Sequence, residues 1–384
     1  MTHIFDHLQI SGYRGLRAIN LSQLGPVNIF VGDNNSGKTS LLEAVSVLCN
    51  PLDPFQWLEV SQRRLYLGKT LIARPDLEAI QWIFQRRANF PDDESYQSKI
   101  CITSSGSASI RKIEAELGEI YGVNLEKGQA RSNDEITTSE DEIDSSELDS
   151  NSSGVELNVT ACLDQEQGNL FSSDLEHRSE VFQFWEKERF VYRKRNKPLV
   201  KNATISPSYS SSEPILDRLS RIILQEEDRK KEVLDLIQPL FDDNIVDFEI
   251  ASTSSARAAI YVRHKEIGFA PLYVFGDGFK RALVIALTLL TMTDGVLLID
   301  EVETSIHVSA LSSIFAWLIQ ACRYREIQLF VTTHSLEAID AMLQPGINVD
   351  DIVAFRLKPK GQELQRFSGD LLHRLRSERG LDVR

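Results

Sequence analysis

Eight consecutive residues, Gly32-Asp33-Asn34-Asn35-Ser36-Gly37-Lys38-Thr39, have the types and spacing of a loop that can hold a phosphate chain. Glycines at both ends let the backbone curl so that successive N–H groups face one anion. Lys38 supplies a point charge for the β- and γ-phosphates, and Thr39 offers a hydroxyl to Mg²⁺. Asn34, Asn35, Ser36 and Ser40 complete the polar set around the loop. A second acidic strand end is needed to balance such a loop, and Gly295-Val296-Leu297-Leu298-Ile299-Asp300-Glu301 provides it. Asp300 would hold Mg²⁺ through its water shell, and Glu301 would orient and deprotonate an attacking water. A third apolar run, Ile327-Gln328-Leu329-Phe330-Val331-Thr332-Thr333, ends in His334, whose imidazole could contact the γ-phosphate.

These groups need strands that deliver them to one edge. Val27–Val31 reads as a buried strand, and Ser40–Leu48 has the apolar spacing of a helix, so the loop lies between a strand and a helix N-terminus. From 279 to 356 the pattern runs helix, strand, helix, strand, helix, strand, which implies parallel strands with crossover helices. Residues 4–31 read as two strands joined by Ser11-Gly12-Tyr13-Arg14-Gly15. Over 53–90 the spacing predicts helix, with Leu77, Ile80, Trp82, Ile83 and Phe84 on one broad apolar face. Helix is also expected over 213–241, and strands over 100–103, 155–159, 244–250 and 257–263. The fold class expected is α/β, a mixed sheet core of P-loop type flanked by helices, with an inserted β/helical subdomain. Its division is 1–95 (first part of the core), 96–265 (insertion) and 266–384 (second part of the core).

Net charge is −14, but eight carboxylates and no basic residue fall between Asp134 and Asp149; removing those eight leaves −6. Residues 128–153 cannot bury apolar surface and read as a disordered acidic loop. No apolar run approaches the roughly 18 residues of a membrane span. The start Met1–His7 lacks a basic, apolar leader, and the four cysteines form no C-x-x-C pair, so a reducing cytoplasm is expected. One basic cluster, Arg189, Arg193, Lys194, Arg195, Lys197 and Lys201 among Trp185, Phe190 and Tyr192, is a candidate DNA contact. An edge hairpin with outward charges accounts for it better.

The order of motifs resembles the ABC-type ATPases, in particular the OLD, RecF and Rad50-like branch. Leu8–Leu16 is similar to the branch's opening strand and aromatic-arginine turn. Gly32–Ala44 is similar to its phosphate loop, Asp300–His307 to its Walker B and D-loop run, with Val302 in place of proline, and Thr332-Thr333-His334-Ser335 to its switch-histidine motif. The resemblance spans about residues 1–50 and 270–356. It implies ATP and Mg²⁺ as ligands, with hydrolysis to ADP and phosphate.

It further implies a signature segment capping the partner's nucleotide, here Phe275-Gly276-Asp277-Gly278-Phe279-Lys280-Arg281, and therefore a head-to-tail homodimer. Lys280 or Arg281 could reach phosphate, while Gly276 stands where serine is usual, which points to slow turnover. Gln56, Gln62 and Gln81 all remain open as the branch's magnesium-contacting glutamine. The coiled coil of the Rad50 and SMC relatives is missing, and only fifty residues follow His334, too few for the nuclease domain of OLD proteins. The chain therefore reads as an ATPase acting on a separately encoded effector, a nuclease or toxin, as in two-component anti-phage systems such as Septu or PARIS. A RecF-like DNA clamp and a slow ATP-binding scaffold are the alternatives.

Overall fold

The computed structural model of the 384-residue chain describes residues 3–64, 75–86, 96–97, 99–122, 152–165, 175–186, 190, 196–207, 227–252, 258–344, 346–358 and 364–384. The chain opens with β1 (His7–Tyr13), β2 (Leu16–Ser22), β3 (Val27–Gly32) and α1 (Lys38–Cys49). There follow α2 (Pro54–Gln62), α3 (Leu77–Gln81) and the two-residue strands β4 (Gln85–Arg86) and β5 (Tyr96–Gln97). Four long strands come next: β6 (Lys99–Ser105), β7 (Ile110–Gly122), β8 (Ser152–Asp164) and β9 (Leu175–Trp185). Then come β10 (Asn202–Ile205), α4 (Glu227–Phe241), β11 (Ile245–Ser252), β12 (Ala258–His264) and β13 (Gly268–Pro271). The last third contains α5 (Asp277–Thr291), β14 (Gly295–Ile299), α6 (Val308–Tyr324), β15 (Ile327–Thr332) and α7 (Leu336–Met342). It ends with β16 (Ile352–Leu357), β17 (Leu364–Ser368) and α8 (Gly369–Ser377).

Two six-stranded sheets organise these elements. One is antiparallel, in the order β2-β1-β6-β7-β8-β9; the other runs β10-β14-β15-β3-β16-β17 and is parallel except for β17. Strand periodicity sorts the parallel sheet's side chains onto two faces. Phe30, Val296, Leu298, Phe330 and Phe355 pack with α1 and the inner face of the antiparallel sheet, including Ile102, Ile113, Leu157 and Val159. Ile29, Val31, Leu297, Ile299, Leu329 and Val331 pack on the opposite side with α4 to α7 and the small sheet β11-β12-β13. Helix α1 thus lies between two sheets, and all its residues but one are buried. A side chain also links the two sheets: Gln328 Nε2, on β15, donates to the Phe5 carbonyl just before β1 at 2.8 Å, and the Phe5 N–H donates to Gln328 Oε1 at 2.9 Å.

The α/β class and the alternation over 279–356 agree with the sequence, as do the strands over 244–250 and 257–263. Two local expectations need correction. Residues 4–31 hold three strands, because Gly12 and Arg14 adopt left-handed backbone angles and fold the first segment into the hairpin β1–β2. The apolar run over 77–84 is not one helix. Helix α3 stops at Gln81, Trp82 is 47% exposed, and Phe84 bridges to Tyr13 and stacks over Trp57. Ile83 and Phe84 reach the core from a turn, so their burial needs no helical periodicity. The expected helix over 213–241 is described only from Glu227, and most of the acidic segment 128–153 lies outside the described residues.

Candidate nucleotide site

Strand order brings the three motif-bearing loops together. Strand β15 lies between β14 and β3, and all three are parallel, so the segments after Gly32, Ile299 and Thr332 leave the same carboxyl edge. In open α/β sheets this edge is where ligands bind.

The loop after β3 has the backbone its sequence demands. Gly32 has φ 144, and a Cβ there would lie 2.3 Å from the Leu357 carbonyl oxygen. Asn35 and Gly37 are also left-handed, while Asp33, Asn34 and Asn35 are exposed at the crest. Gly37 is the N-cap of α1 and no side chain caps that end, so the first amides of the helix remain available to an anion. Lys38 Nζ sits inside the loop, donating to the carbonyls of Gly32 at 2.8 Å and Asp33 at 2.9 Å and to Ser36 Oγ at 3.4 Å. Burial pulls the Lys38 ammonium below its usual range, opposed by the carboxylates of Asp300, Asp33, Glu301 and Glu303. A ligand bearing negative charge would favour the charged ammonium and offset that shift.

Asp300 is fixed from several sides. Its amide donates to the Ile205 carbonyl at 2.9 Å, which ties β14 to the end of β10. Its carboxylate accepts from Thr39 Oγ1 at 3.0 and 3.3 Å and from Thr332 Oγ1 at 2.5 Å. The first contact joins the phosphate loop to the acidic strand across 261 residues of sequence. A hydroxyl beside a carboxylate is the hard-oxygen donor set that Mg²⁺ favours, so Thr39 and Asp300 fit the ion and would hold it, supplying charge neutralisation at the phosphates. Glu301 follows with φ 47, a strained angle for a non-glycine residue. Its N–H donates to Thr332 Oγ1 at 2.8 Å and its carboxylate accepts from Thr304 Oγ1 at 3.2 Å.

His334 is held through its backbone. Its N–H donates to Glu303 Oε1 at 2.8 Å and its carbonyl accepts from Arg384 Nη1 at 3.0 Å. Glu303, two residues past Glu301, therefore ties the acidic strand end to the segment after β15.

The segment around Gly276 behaves differently from its expected role at one residue. Gly276 caps α5, and a Cβ there would meet nothing within 4 Å. Lys280 pairs with the exposed carboxylate of Asp277 at 2.6 Å. Gly278 abuts the D-loop, where a Cβ would lie 2.7 Å from the Ser305 carbonyl oxygen. Arg281, expected to reach phosphate, is fully enclosed behind β14. Its guanidinium donates to the Ser206 carbonyl at 2.6 Å and the Asp300 carbonyl at 3.0 Å, and burial lowers its pKa to about 10 against the pull of Asp300, Glu301 and Glu303. An arginine enclosed in this way props the acidic strand end from behind.

The glutamine candidates are scattered. Gln56 bonds Ser46 Oγ two turns down α1 from Thr39, Gln62 is buried at the end of α2, and Gln81 faces Glu119 on the outer surface. Beside Asp300 itself the neighbouring strand end is Ser206, after β10. Ser206 carried no signal in the sequence beyond its position at an apolar strand end, and Thr332, part of the switch-histidine run, gave no sign of its contact with Asp300. Of the basic cluster, Arg189, Tyr192, Arg193, Lys194 and Arg195 lie outside the described residues, and Lys201 is exposed. The described aromatics are not displayed to solvent: Trp185 is buried and Phe190 packs on Phe184 and Phe55.

Residues 27–340 match the family model described as "AAA domain, putative AbiEii toxin, Type IV TA system". The chain belongs to this AAA family. Its motif order resembles that of the ABC-type ATPases of the RecF, Rad50 and SMC branch, and its phosphate loop is of the ATP-binding kind. Protein MJECL11 of Methanocaldococcus jannaschii is 44% identical over 69 residues, 18% of this chain and 60% of that protein. RecF, a DNA replication and repair protein of Acinetobacter baylyi, is 58% identical over 41 residues, 11% of this chain and 12% of RecF. The chain thus spans less than two thirds of either relative. An SMC head bound to the C-terminal winged-helix domain of ScpA shows 10% identity over 95% of this chain and 98% of that one, with a TM-score of 0.47. Among the described residues no helix is long and apolar enough to cross a membrane.

Proposed function

We propose that this AAA-family protein binds ATP with Mg²⁺ and hydrolyses it to ADP and phosphate. The observation that carries the reading is the Thr39–Asp300 contact, which assembles a complete phosphate-loop and acidic-strand pair from distant sequence. Lys38 binds the β- and γ-phosphates, Thr39 and Asp300 hold Mg²⁺, Glu301 serves as general base and His334 reads the γ-phosphate. Gly276, Asp277, Gly278 and Lys280 serve a second copy. Gly278 joins this segment to the D-loop of its own chain, a geometry that supports one protomer's signature closing the nucleotide held by its partner. The working unit is then a head-to-tail homodimer in the cytoplasm, with residues 96–265 as an insertion whose β10 lends an edge strand to the core.

The dimer acts as an OLD-like sensor that controls a separate effector, a nuclease or toxin, in anti-phage defence. The toxin–antitoxin context in the family's description supports this role. A second reading, an ATP-dependent DNA clamp, has the local RecF identity in its favour. ATP titrated into the wild type and Lys38→Ala tests the core of the proposal. Tight binding by the wild type and none by the variant is expected, and equal affinities would sink it. Duplex binding that requires ATP and weakens steeply with salt would transfer the role to DNA.

A further inference from the structure

His334 lies between the end of β15 at Thr332 and Ser335, the N-cap of α7. Side chains hold both of its backbone polar groups there. Its N–H donates to Glu303 Oε1 and its carbonyl accepts from Arg384 Nη1, partners 31 and 50 residues away in sequence. A backbone unit outside strand and helix takes its direction from whatever pairs its polar groups. The direction of the imidazole follows from that of the backbone that carries it.

The segment bearing Arg384 is itself tied down at each step. Gly380, with φ 59, turns the chain back after α8: its N–H donates to the Arg376 carbonyl at 3.1 Å, and that of Leu381 donates to the Leu375 carbonyl at 3.0 Å. Arg376, on α8, grips both carboxylate oxygens of Asp340 on α7, each at 2.7 Å, and its Nη1 donates to the Leu381 carbonyl at 2.7 Å. Val383 is buried in the same core cluster as Ile339 and Leu372. Asp382 then accepts from Arg384 Nε at 3.1 Å and from Nη2 at 2.9 Å. Hydrogen bonds from Arg384 lower the Asp382 carboxyl to about 2, so the pair is ionised at neutral pH. A planar guanidinium held at two nitrogens presents the third at fixed geometry, and that third nitrogen is the one on the His334 carbonyl.

We propose that Arg384 is a positioning residue for ATP hydrolysis, oriented by Asp382 so that, with Glu303, it sets the backbone of His334 and hence the reach of the imidazole. The proposal rests on the reading of the site as an ATPase in which His334 faces the γ-phosphate. The Arg384 side chain is 41% exposed, so its removal opens no core cavity and leaves the fold near its wild-type stability.

The test combines steady-state ATP hydrolysis, ATP titration and thermal unfolding of wild type, Arg384→Ala, His334→Ala and the double variant. Arg384→Ala should lower kcat by about three- to tenfold, the worth of one hydrogen bond, with ATP affinity and melting temperature close to wild type. In the His334→Ala background the same substitution should change nothing further. A wild-type kcat in Arg384→Ala would overturn the proposal. So would an equal fold loss in both backgrounds, which places the effect elsewhere than His334. Should His334→Ala hydrolyse too slowly to compare, the imidazole resonances of histidine-labelled, ATP-bound protein decide. Arg384→Ala should shift the His334 signal and leave that of His264 in place, and an unmoved His334 signal would overturn the proposal. Should Arg384→Ala fail to fold, Asp382→Ala, which releases the guanidinium without removing it, is judged by the same criteria. A wild type that does not hydrolyse ATP would overturn the ATPase reading and this proposal together, whereas wild-type hydrolysis abolished by Glu301→Gln leaves only Arg384 in question.

Discussion

Replacing Thr332 by valine removes one hydroxyl and almost no volume, so it isolates what that oxygen does. Thr332 is fully buried at the end of β15. Its Oγ1 donates to the Asp300 carboxylate at 2.5 Å and accepts from the Glu301 N–H at 2.8 Å, so both acidic residues of β14's end depend on it. A hydrogen bond to a charged acceptor contributes about 1.5–3 kcal/mol, and a buried amide left unpaired costs about 1–3 kcal/mol. The two losses share one atom and overlap, so Thr332→Val should cost about 3 kcal/mol of stability, roughly a hundredfold in the unfolding equilibrium. Denaturant unfolding measures this directly, as a lowered midpoint with an unchanged slope. The same oxygen orients Asp300 toward Thr39, so Mg²⁺ should strengthen ATP binding less in the variant, by about tenfold in the ratio of affinities with and without the ion. A variant that unfolds at the wild-type midpoint and keeps the full magnesium effect would refute the argument that Thr332 organises this edge.

Three further outcomes follow from the geometry. Gly276→Ser should fold as the wild type does, because its Cβ meets open space, and should raise ATP turnover by restoring a hydroxyl at the cap of α5; unchanged turnover would show the glycine is not what slows it. Gly278→Ala should destabilise the fold by about 1–3 kcal/mol, since its Cβ would press on the Ser305 carbonyl at 2.7 Å, and a melting temperature equal to the wild type's would contradict that packing. Deleting residues 130–150, between the paired strands β7 and β8, should leave ATP affinity and hydrolysis intact, whereas loss of either would make the acidic segment part of the machine.

The phosphate loop and the strands ending in Asp300 and His334 were legible because each is a short apolar run followed at once by its functional residues. Strand order then needed only the parallel alternation to bring them to one edge. Residues 77–84 were misread because apolar residues at helical spacing are equally buried by a short helix, a turn and a bridge to Tyr13. Arg281 looked like a phosphate ligand from its place after the glycines. Its partners, the carbonyls of Ser206 and Asp300, lie on strand ends far from it in sequence, so its burial leaves no local trace. The contacts of Thr332 with Asp300 and Glu301 left no trace for the same reason: they join segments that only the fold makes neighbours.

The central claim is that two copies close over two ATP molecules, and Glu301→Gln addresses it most directly. With the base removed but Thr39, Asp300 and Lys38 intact, ATP should bind and remain. Light scattering of this variant at saturating ATP and Mg²⁺ should give about twice the protomer mass of 43.4 kDa, returning to the protomer when ATP is withdrawn. A protomer mass at every protein concentration, with ATP bound, would contradict the account.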